Sequence, residues 1–245
     1  MALLTLSMLV GCGKKGPLIY PDLLLPGPPQ AVSLEQTGSH LRLAFDLPSK
    51  DRSGKALKEP VQSILVYRRV LDQQSCSSCL DTYQTVVRID PKHPAPAQRQ
   101  GEHITWIDQD VQPGGRLYQY RVKTLQPGSE AGAAIDTIPV ALQEPPAPPA
   151  LLARSVFGGI IALELSADAP HGTSVVGYRL YRSTGAETAL QPLGLSYNGH
   201  YEDQSVQQGI SYRYAARSVV RHTATGVLLE SNLSPAVPAI ARDVP

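Results

Sequence analysis

The chain has 245 residues, 22 Lys and Arg against 21 Asp and Glu, a net charge of +1 and 42% hydrophobic residues. That length allows one or two domains with real cores, and charge this balanced and scattered argues against a nucleic-acid partner. Pro at 22 and Gly at 20 exceed the usual share, which favours a turn-rich all-β protein or linkers.

The first eleven residues, MALLTLSMLVG, are small or apolar and carry no charge. The run falls short of the roughly 20 residues that span a bilayer but suits the apolar core of a secretory signal. No basic n-region precedes it, so the expectation is a signal truncated at its start. Leu9-Val10-Gly11-Cys12 resembles a bacterial lipobox. The resemblance implies lipid on the Cys12 sulfur, cleavage before Cys12 and acylation of the new amine. Three acyl chains then exceed the one-chain limit for stable anchoring. The alternative is a buried structural cysteine on an apolar strand. Gly13 stands where an aspartate would signal inner-membrane retention, so the resemblance implies lipid anchoring at the outer membrane, facing the periplasm.

The run from Cys12 to Pro21, Cys-Gly-Lys-Lys-Gly-Pro-Leu-Ile-Tyr-Pro, is similar to the Cys-Gly-x-Lys-Gly-Pro-Leu-Tyr-x-Pro signature of the LptM family of small outer-membrane lipoproteins. Gly13, Lys15, Gly16, Pro17, Leu18 and Pro21 match, while Ile19 displaces the tyrosine by one position. The resemblance implies an envelope protein partner, the lipopolysaccharide translocon that family members help to mature. Those members lack large folded domains, so this chain has modules added. Read without the family, the same residues are a flexible spacer. Leu25-Pro26-Gly27-Pro28-Pro29 closes the tether, 12–27, and its prolines favour extended polyproline II. Fully extended, Gly13 to Gly27 would reach at most about 50 Å.

From Pro28 the chain repeats. Pro29, Val32, Gly38, Leu41, Leu43 and Phe45 align at one constant offset with Pro149, Leu152, Gly158, Ile161, Leu163 and Leu165. Val66-Tyr67-Arg68 aligns with Leu180-Tyr181-Arg182, then Trp106, Asp108, Val111 and Gly114 with Tyr201, Asp203, Val206 and Gly209. The spacing is too long for a solenoid and means two copies of one domain. Leu41, Leu43, Phe45 and Leu47 alternate with polar or small residues, as do Tyr118, Tyr120 and Val122, which predicts half-buried strands. Pro113-Gly114-Gly115, Asn198-Gly199 and Gln208-Gly209 mark turns. About seven short strands per copy predict an immunoglobulin-like sandwich.

The stretch Trp106 to Val122 resembles the E-to-F region of fibronectin type III domains: aspartate, valine, Pro-Gly, then Tyr-x-Tyr-x-Val. The resemblance implies two tandem sandwiches, 28–143 and 150–241, joined by the stiff Pro-rich linker 144–149. It makes Tyr118 and Tyr212 tyrosine-corner residues. The family's strand-B tryptophan is replaced by Phe45 and Leu165. Two sandwiches on a short connector predict a rod.

The copies differ in their loops. The first has nineteen more residues between Tyr67 and Trp106 than the second has between Tyr181 and Tyr201, and they hold Cys76-Ser77-Ser78-Cys79 and the Pro91–Pro96 stretch. Its B–C loop, Ser49 to Pro60, is also longer and carries Lys50, Asp51, Arg52, Lys55, Lys58 and Glu59. Extended loops on a rigid scaffold tend to carry binding residues; a solvated charged loop without a partner is the alternative. Cys76 and Cys79 read as a disulfide in an oxidising compartment. A redox pair would want a helix after the first thiol, and zinc would want two more ligands at shorter spacing than His93 and His103 offer.

No Gly-x-Ser-x-Gly elbow, phosphate loop or His-x-x-x-His pair is present. Asp108 and Asp203 recur at matched positions, which points to turn hydrogen bonds. Asn232-Leu-Ser234 is a formal glycosylation sequon, inert in a bacterium. The sequence therefore predicts a non-enzymatic lipoprotein, without cofactor or metal, that acts as an interaction or scaffold module linked to translocon assembly. The alternative is a glycan- or peptidoglycan-binding accessory lipoprotein, which would need exposed aromatics.

Overall fold

Alternating apolar and polar residues lead to two pairs of facing antiparallel sheets. A computed structural model describes residues 20–71, 83–114, 116–126, 132–185 and 188–242. The first sandwich contains β1 (Gln30–Thr37), β2 (His40–Asp46), β3 (Ser63–Leu71), β4 (Gln84–Ile89), β5 (Gln98–Gln100), β6 (His103–Asp108), β7 (Leu117–Leu125), β8 (Ala134–Asp136) and β9 (Val140–Ala141). One sheet runs β1-β2-β6-β5. The other runs β4-β3-β7-β8, with β9 also pairing β7. The second sandwich contains β10 (Ala150–Val156), β11 (Ile160–Ser166), β12 (Thr173–Thr184), β13 (Gln191–Ser196), β14 (His200–Asp203), β15 (Ser211–His222), β16 (Leu228–Glu230) and β17 (Val237–Ile240). Its sheets run β10-β11-β14 and β13-β12-β15-β16, with β17 also on β15.

The repeat is visible in the register. Leu41 faces Asp108 and Leu43 faces Trp106; in the second copy Ile161 faces Asp203 and Leu163 faces Tyr201. Each sandwich has its own apolar core. Leu41, Leu43, Phe45, Ile64 and Tyr120 are fully buried in the first, and Ile161, Leu163 and Tyr214 in the second. Burying each such side chain contributes roughly 1.5–3 kcal/mol. Phe45 fills the strand-B position, while Trp106 on β6 packs edge-on against Tyr120 at 6.3 Å between ring centroids. Lettered A (β1, β10), B (β2, β11), C (β3, β12), C′ (β4, β13), E (β6, β14), F (β7, β15) and G (β8 and β9, β16 and β17), this strand order, A-B-E against C′-C-F-G, is that of the fibronectin type III fold. The first copy's insertion does not stay wholly in loops: Gln98–Gln100 pairs with Thr105–His103 and adds a fourth strand to that sheet.

The tether expectation needs correction for its described part. Residues 20–27 are not a free extended arm. Pro21–Leu24 forms one turn of 3₁₀ helix, opened by proline where its missing N–H costs nothing. Beyond it the chain is extended, as its prolines require, but it lies against the B–C loop. The amide of Arg52 donates to Leu25 O at 2.9 Å, that of Ser53 to Leu23 O at 3.0 Å and that of Gly27 to Lys50 O at 2.9 Å. Thr124 Oγ1 donates to Gly27 O at 3.0 Å, and Gln126 Nε2 to Leu24 O at 3.2 Å. Extended backbone with free carbonyls is a ready strand partner, and the lengthened loop supplies the other edge.

The linker is held just before its start and again at Ala147. Gln36 Nε2 donates to Gln143 O at 2.7 Å and Gln36 Oε1 accepts from Gln143 N at 3.0 Å, while Ser218 Oγ donates to Ala147 O at 2.9 Å. The β1–β2 turn then meets the second sandwich directly. Asn232 Oδ1 accepts from Ser39 N at 2.9 Å and Ser39 Oγ at 3.0 Å. Gly38 lies between them at φ +61°, and a Cβ there would collide with Asn232 Oδ1. Gly38→Val is therefore expected to open this joint, through a steric clash and about 1–3 kcal/mol of backbone strain. Limited proteolysis should cut 144–149 faster in the variant while both sandwiches stay folded; an unchanged cleavage rate would contradict the joint.

Candidate functional site

The chemically capable side chains are gathered inside the sandwiches, in the same arrangement twice. Asp108 ends β6 in one sheet and is almost fully buried. Its Oδ2 accepts from Arg68 Nη1 at 2.7 Å and from the Tyr120 hydroxyl at 2.7 Å, both on the facing sheet. Its Oδ1 accepts from Asp110 N at 3.0 Å, the turn bond that the sequence pointed to. In the second sandwich Asp203 Oδ2 accepts from Arg182 Nη1 at 2.7 Å and Tyr214 Oη at 2.9 Å, and Oδ1 accepts from Ser205 N at 3.0 Å. Each aspartate is a bolt between two sheets.

The electrostatics follow. Burial pushes both the Tyr120 and Tyr214 phenols well up, and the facing carboxylates add to it, so neither ionises at working pH. Burial also opposes the charge on Asp203, but hydrogen bonds from Arg182, Ser205 and Tyr214 outweigh it and hold the carboxyl below its usual value. Burial likewise works against the Arg68 and Arg182 guanidiniums, and their aspartate partners more than offset it. A proton-transfer role would need pKa values moved toward neutrality; these groups move away from it.

Beside each bolt is a corner. Tyr118 Oη donates to Gln112 O and accepts from Gln112 N, both at 3.0 Å, while Tyr212 Oη accepts from Gln207 N at 2.9 Å. This is tyrosine-corner geometry. The Arg182 guanidinium also lies 5.2 Å from the Tyr212 ring centroid.

Other predicted residues fall elsewhere. Cys12, Gly13, Lys15, Gly16, Pro17, Leu18, Cys76 and Cys79 lie outside the described residues. Tyr83, the first described residue after the Cys76–Cys79 segment, sits under Arg121 and Arg69, at 4.3 and 5.1 Å. Arg121 in turn forms a bidentate pair with Asp136, at 2.6 and 2.8 Å. His93 approaches Asp90 at 3.4 Å and His103 contacts Asp46 at 2.7 Å, on different partners. Among the described residues no group of three His, Cys, Asp or Glu is placed to hold a metal ion.

Two surface grooves were not legible in the sequence. One, of about 500 Å³, lies beside the first copy's insertion and is lined by Val86, Pro96, Gln98, Trp106 and Asp110. The other, of about 600 Å³, lies at the joint between Leu34, Gln36 and Val140 of the first sandwich and Arg179, Leu228 and Leu229 of the second. Arg179 is ion-paired to Glu230 there at 2.5 Å, and Leu228 is 54% exposed. No continuous sequence signal encodes a groove made by two sandwiches.

Strand order, corners and bolts define a tandem fibronectin type III-like protein. No family model matches the chain, and no curated protein matches it. Among solved structures the chain is similar to the FN1–FN3 domains of chicken CNTN1, at 13% identity over 89% of this chain and 68% of that one, with a TM-score of 0.38.

Two stability predictions follow from the bolts and corners. Asp203→Asn should cost the second sandwich about 2–4 kcal/mol, because removing one partner of a buried pair strands the other charge. Arg182 keeps 26% of its side chain exposed, which moderates the loss. The depressed Asp203 carboxyl stabilises the fold fully above the unfolded value of about 3.9, and that contribution disappears as pH falls through the lower folded value. Acid unfolding of the second sandwich should therefore be less pH-dependent in Asp203→Asn; identical acid profiles would contradict the bolt. Tyr118→Phe should destabilise the first sandwich by about 1 kcal/mol or more, and Tyr212→Phe only the second, as read by two-transition denaturant melts.

Proposed function

We propose that the chain is an outer-membrane lipoprotein anchored through Cys12, in which the two sandwiches form a non-catalytic interaction scaffold facing the periplasm. In this reading the Gly13–Leu18 segment engages the lipopolysaccharide translocon. The observation that carries the scaffold reading is the duplicated bolt. The buried Arg, Asp and Tyr groups that could serve chemistry are spent identically in both copies on holding sheets together. What differs between the copies lies on the surface, beside the insertion groove, and this reading places protein contacts there and in the joint groove. The anchor and the partner are supported by the lipobox-like run and by the Cys-Gly-x-Lys-Gly-Pro-Leu pattern. Lys15 would place a charge next to the bilayer, and Gly16-Pro17-Leu18 an extended segment able to add to an exposed strand edge.

Exchange of Lys15-Gly16-Pro17-Leu18 for Ser and Gly residues tests the partner. Affinity recovery of the translocon barrel from native envelopes should be lost while membrane anchoring persists. Equal recovery from the exchanged protein would sink the partner assignment. Cys12→Ser should release the protein from membranes and abolish incorporation of labelled fatty acid. The glycan-binding reading would gain if the purified sandwiches bound cell-wall glycan directly. Phe157 and Tyr197, each 79% exposed, are the aromatics to mutate in that event.

A further inference from the structure

The geometry points to a membrane-seating face on the end of the first sandwich where the N-terminal segment is clasped. Its occupant is an anionic phospholipid bilayer. Two kinds of side chain meet there. Tyr20 is 73% exposed, and Leu23 and Leu24 are 37% and 38% exposed, all on the short helix and its approach. Lys50, Arg52, Lys55 and Lys58 are exposed on the B–C loop against which that helix is held. Exposed Tyr and Leu beside Lys and Arg is the composition of a surface that sits in the headgroup region.

The charge balance of the loop favours the same partner. Of its two acids, Asp51 is 8% exposed, and its Oδ1 accepts from Ser53 N, Ser53 Oγ and Lys55 N at 2.7–2.9 Å. Those bonds, the Ser53 hydroxyl's first, hold its carboxyl below the usual range. Asp51 is thus spent on shaping the turn that presents the basic residues, leaving Glu59 as the loop's exposed acid and Asp22 on the helix, while Asp46, Asp90 and Glu102 near the same end are paired with His103, His93 and Arg99. Four exposed cations within one loop are attracted to an anionic leaflet, and that attraction fades with salt.

Chain length orients the face. The clasp fixes Leu23 to Ser53, and only seven residues, eight Cα steps, lie between Cys12 and Tyr20. They span at most about 29 Å. A lipid on Cys12 therefore holds this end of the first sandwich within about 29 Å of the bilayer. That orientation rests on the anchoring proposed above; the affinity of the face for a bilayer does not.

The test uses the full chain carrying Cys12→Ser, so that no lipid contributes. Partition is measured onto phosphatidylcholine vesicles with and without phosphatidylglycerol, and the ratio of the two is the readout. The apolar Met1–Gly11 run is common to every variant and cancels in that ratio. Replacing Lys50, Arg52, Lys55 and Lys58 with Gln should lower the ratio at least about tenfold, with melting unchanged. Leu23→Ser with Leu24→Ser should weaken partition onto both vesicle types. An unaltered ratio in the four-charge variant overturns the proposal. Absence of labelled fatty acid on wild-type protein in cells would instead overturn the anchor, and leaves the vesicle ratio as it is.

Discussion

Everything in this molecule hangs from one buried carboxylate, used twice. Asp108 and Asp203 stand at the ends of β6 and β14 and take hydrogen bonds from an arginine and a tyrosine on the opposite sheet. A buried ion pair adds little net stability over an apolar substitute, but it tolerates no missing partner. Its effect here is positional. It sets which residue of the A-B-E sheet faces which residue of the C-F-G sheet, and so where the hydrophobic alternation of each strand meets its counterpart. The corner tyrosine, two residues before the bolt tyrosine on the same strand, fixes the chain as it crosses between the sheets. With position secured from within, the loops were free to diverge, and the first copy shows how far.

The divergence has structural consequences beyond longer loops. Part of the insertion became β5 and widened one sheet. The lengthened B–C loop became the edge on which the N-terminal segment rests. The β1–β2 turn, whose counterpart in the second copy joins β10 to β11, became a contact with the segment between β16 and β17 of the next sandwich. Each added feature joins the first sandwich to something outside it, while its core keeps the pattern of its twin. A scaffold built by duplication would be expected to change in this order, since loop changes cost far less than core changes.

Much of this was legible in the residues. Period-two alternation, the repeated glycines and the Asp–Val–Pro-Gly–Tyr-x-Tyr run carried the fold class, because strand faces and turns are local properties. The aspartates were recognised as fold residues, and their turn bonds were expected. Their larger role was not, because Arg68 lies forty residues before Asp108 and the pairing exists only once two sheets face each other. The signal was nevertheless present: Tyr67-Arg68 and Tyr181-Arg182 recur at matched positions, and an arginine repeated within a strand pattern asks for a buried partner. The N-terminal segment failed differently. Proline content fixes the backbone as extended, which is correct for Leu25, but it says nothing of what an extended chain leans on. The joint groove was beyond reach, since its walls come from strands far apart in the chain.

The joint has a practical corollary for how the protein can be made. Asn232, whose amide oxygen receives both Ser39 bonds, is also the acceptor position of an Asn-x-Ser sequon. In a eukaryotic secretory host that amide nitrogen is an acceptor site for a sugar. The β1–β2 turn already presses so close that Gly38 has no room for a methyl group. A branched oligosaccharide on the other amide atom would crowd the docked turn, so material from such a host is expected to hold its two sandwiches less tightly. One sequence would then give joints of different strength according to the host that makes it.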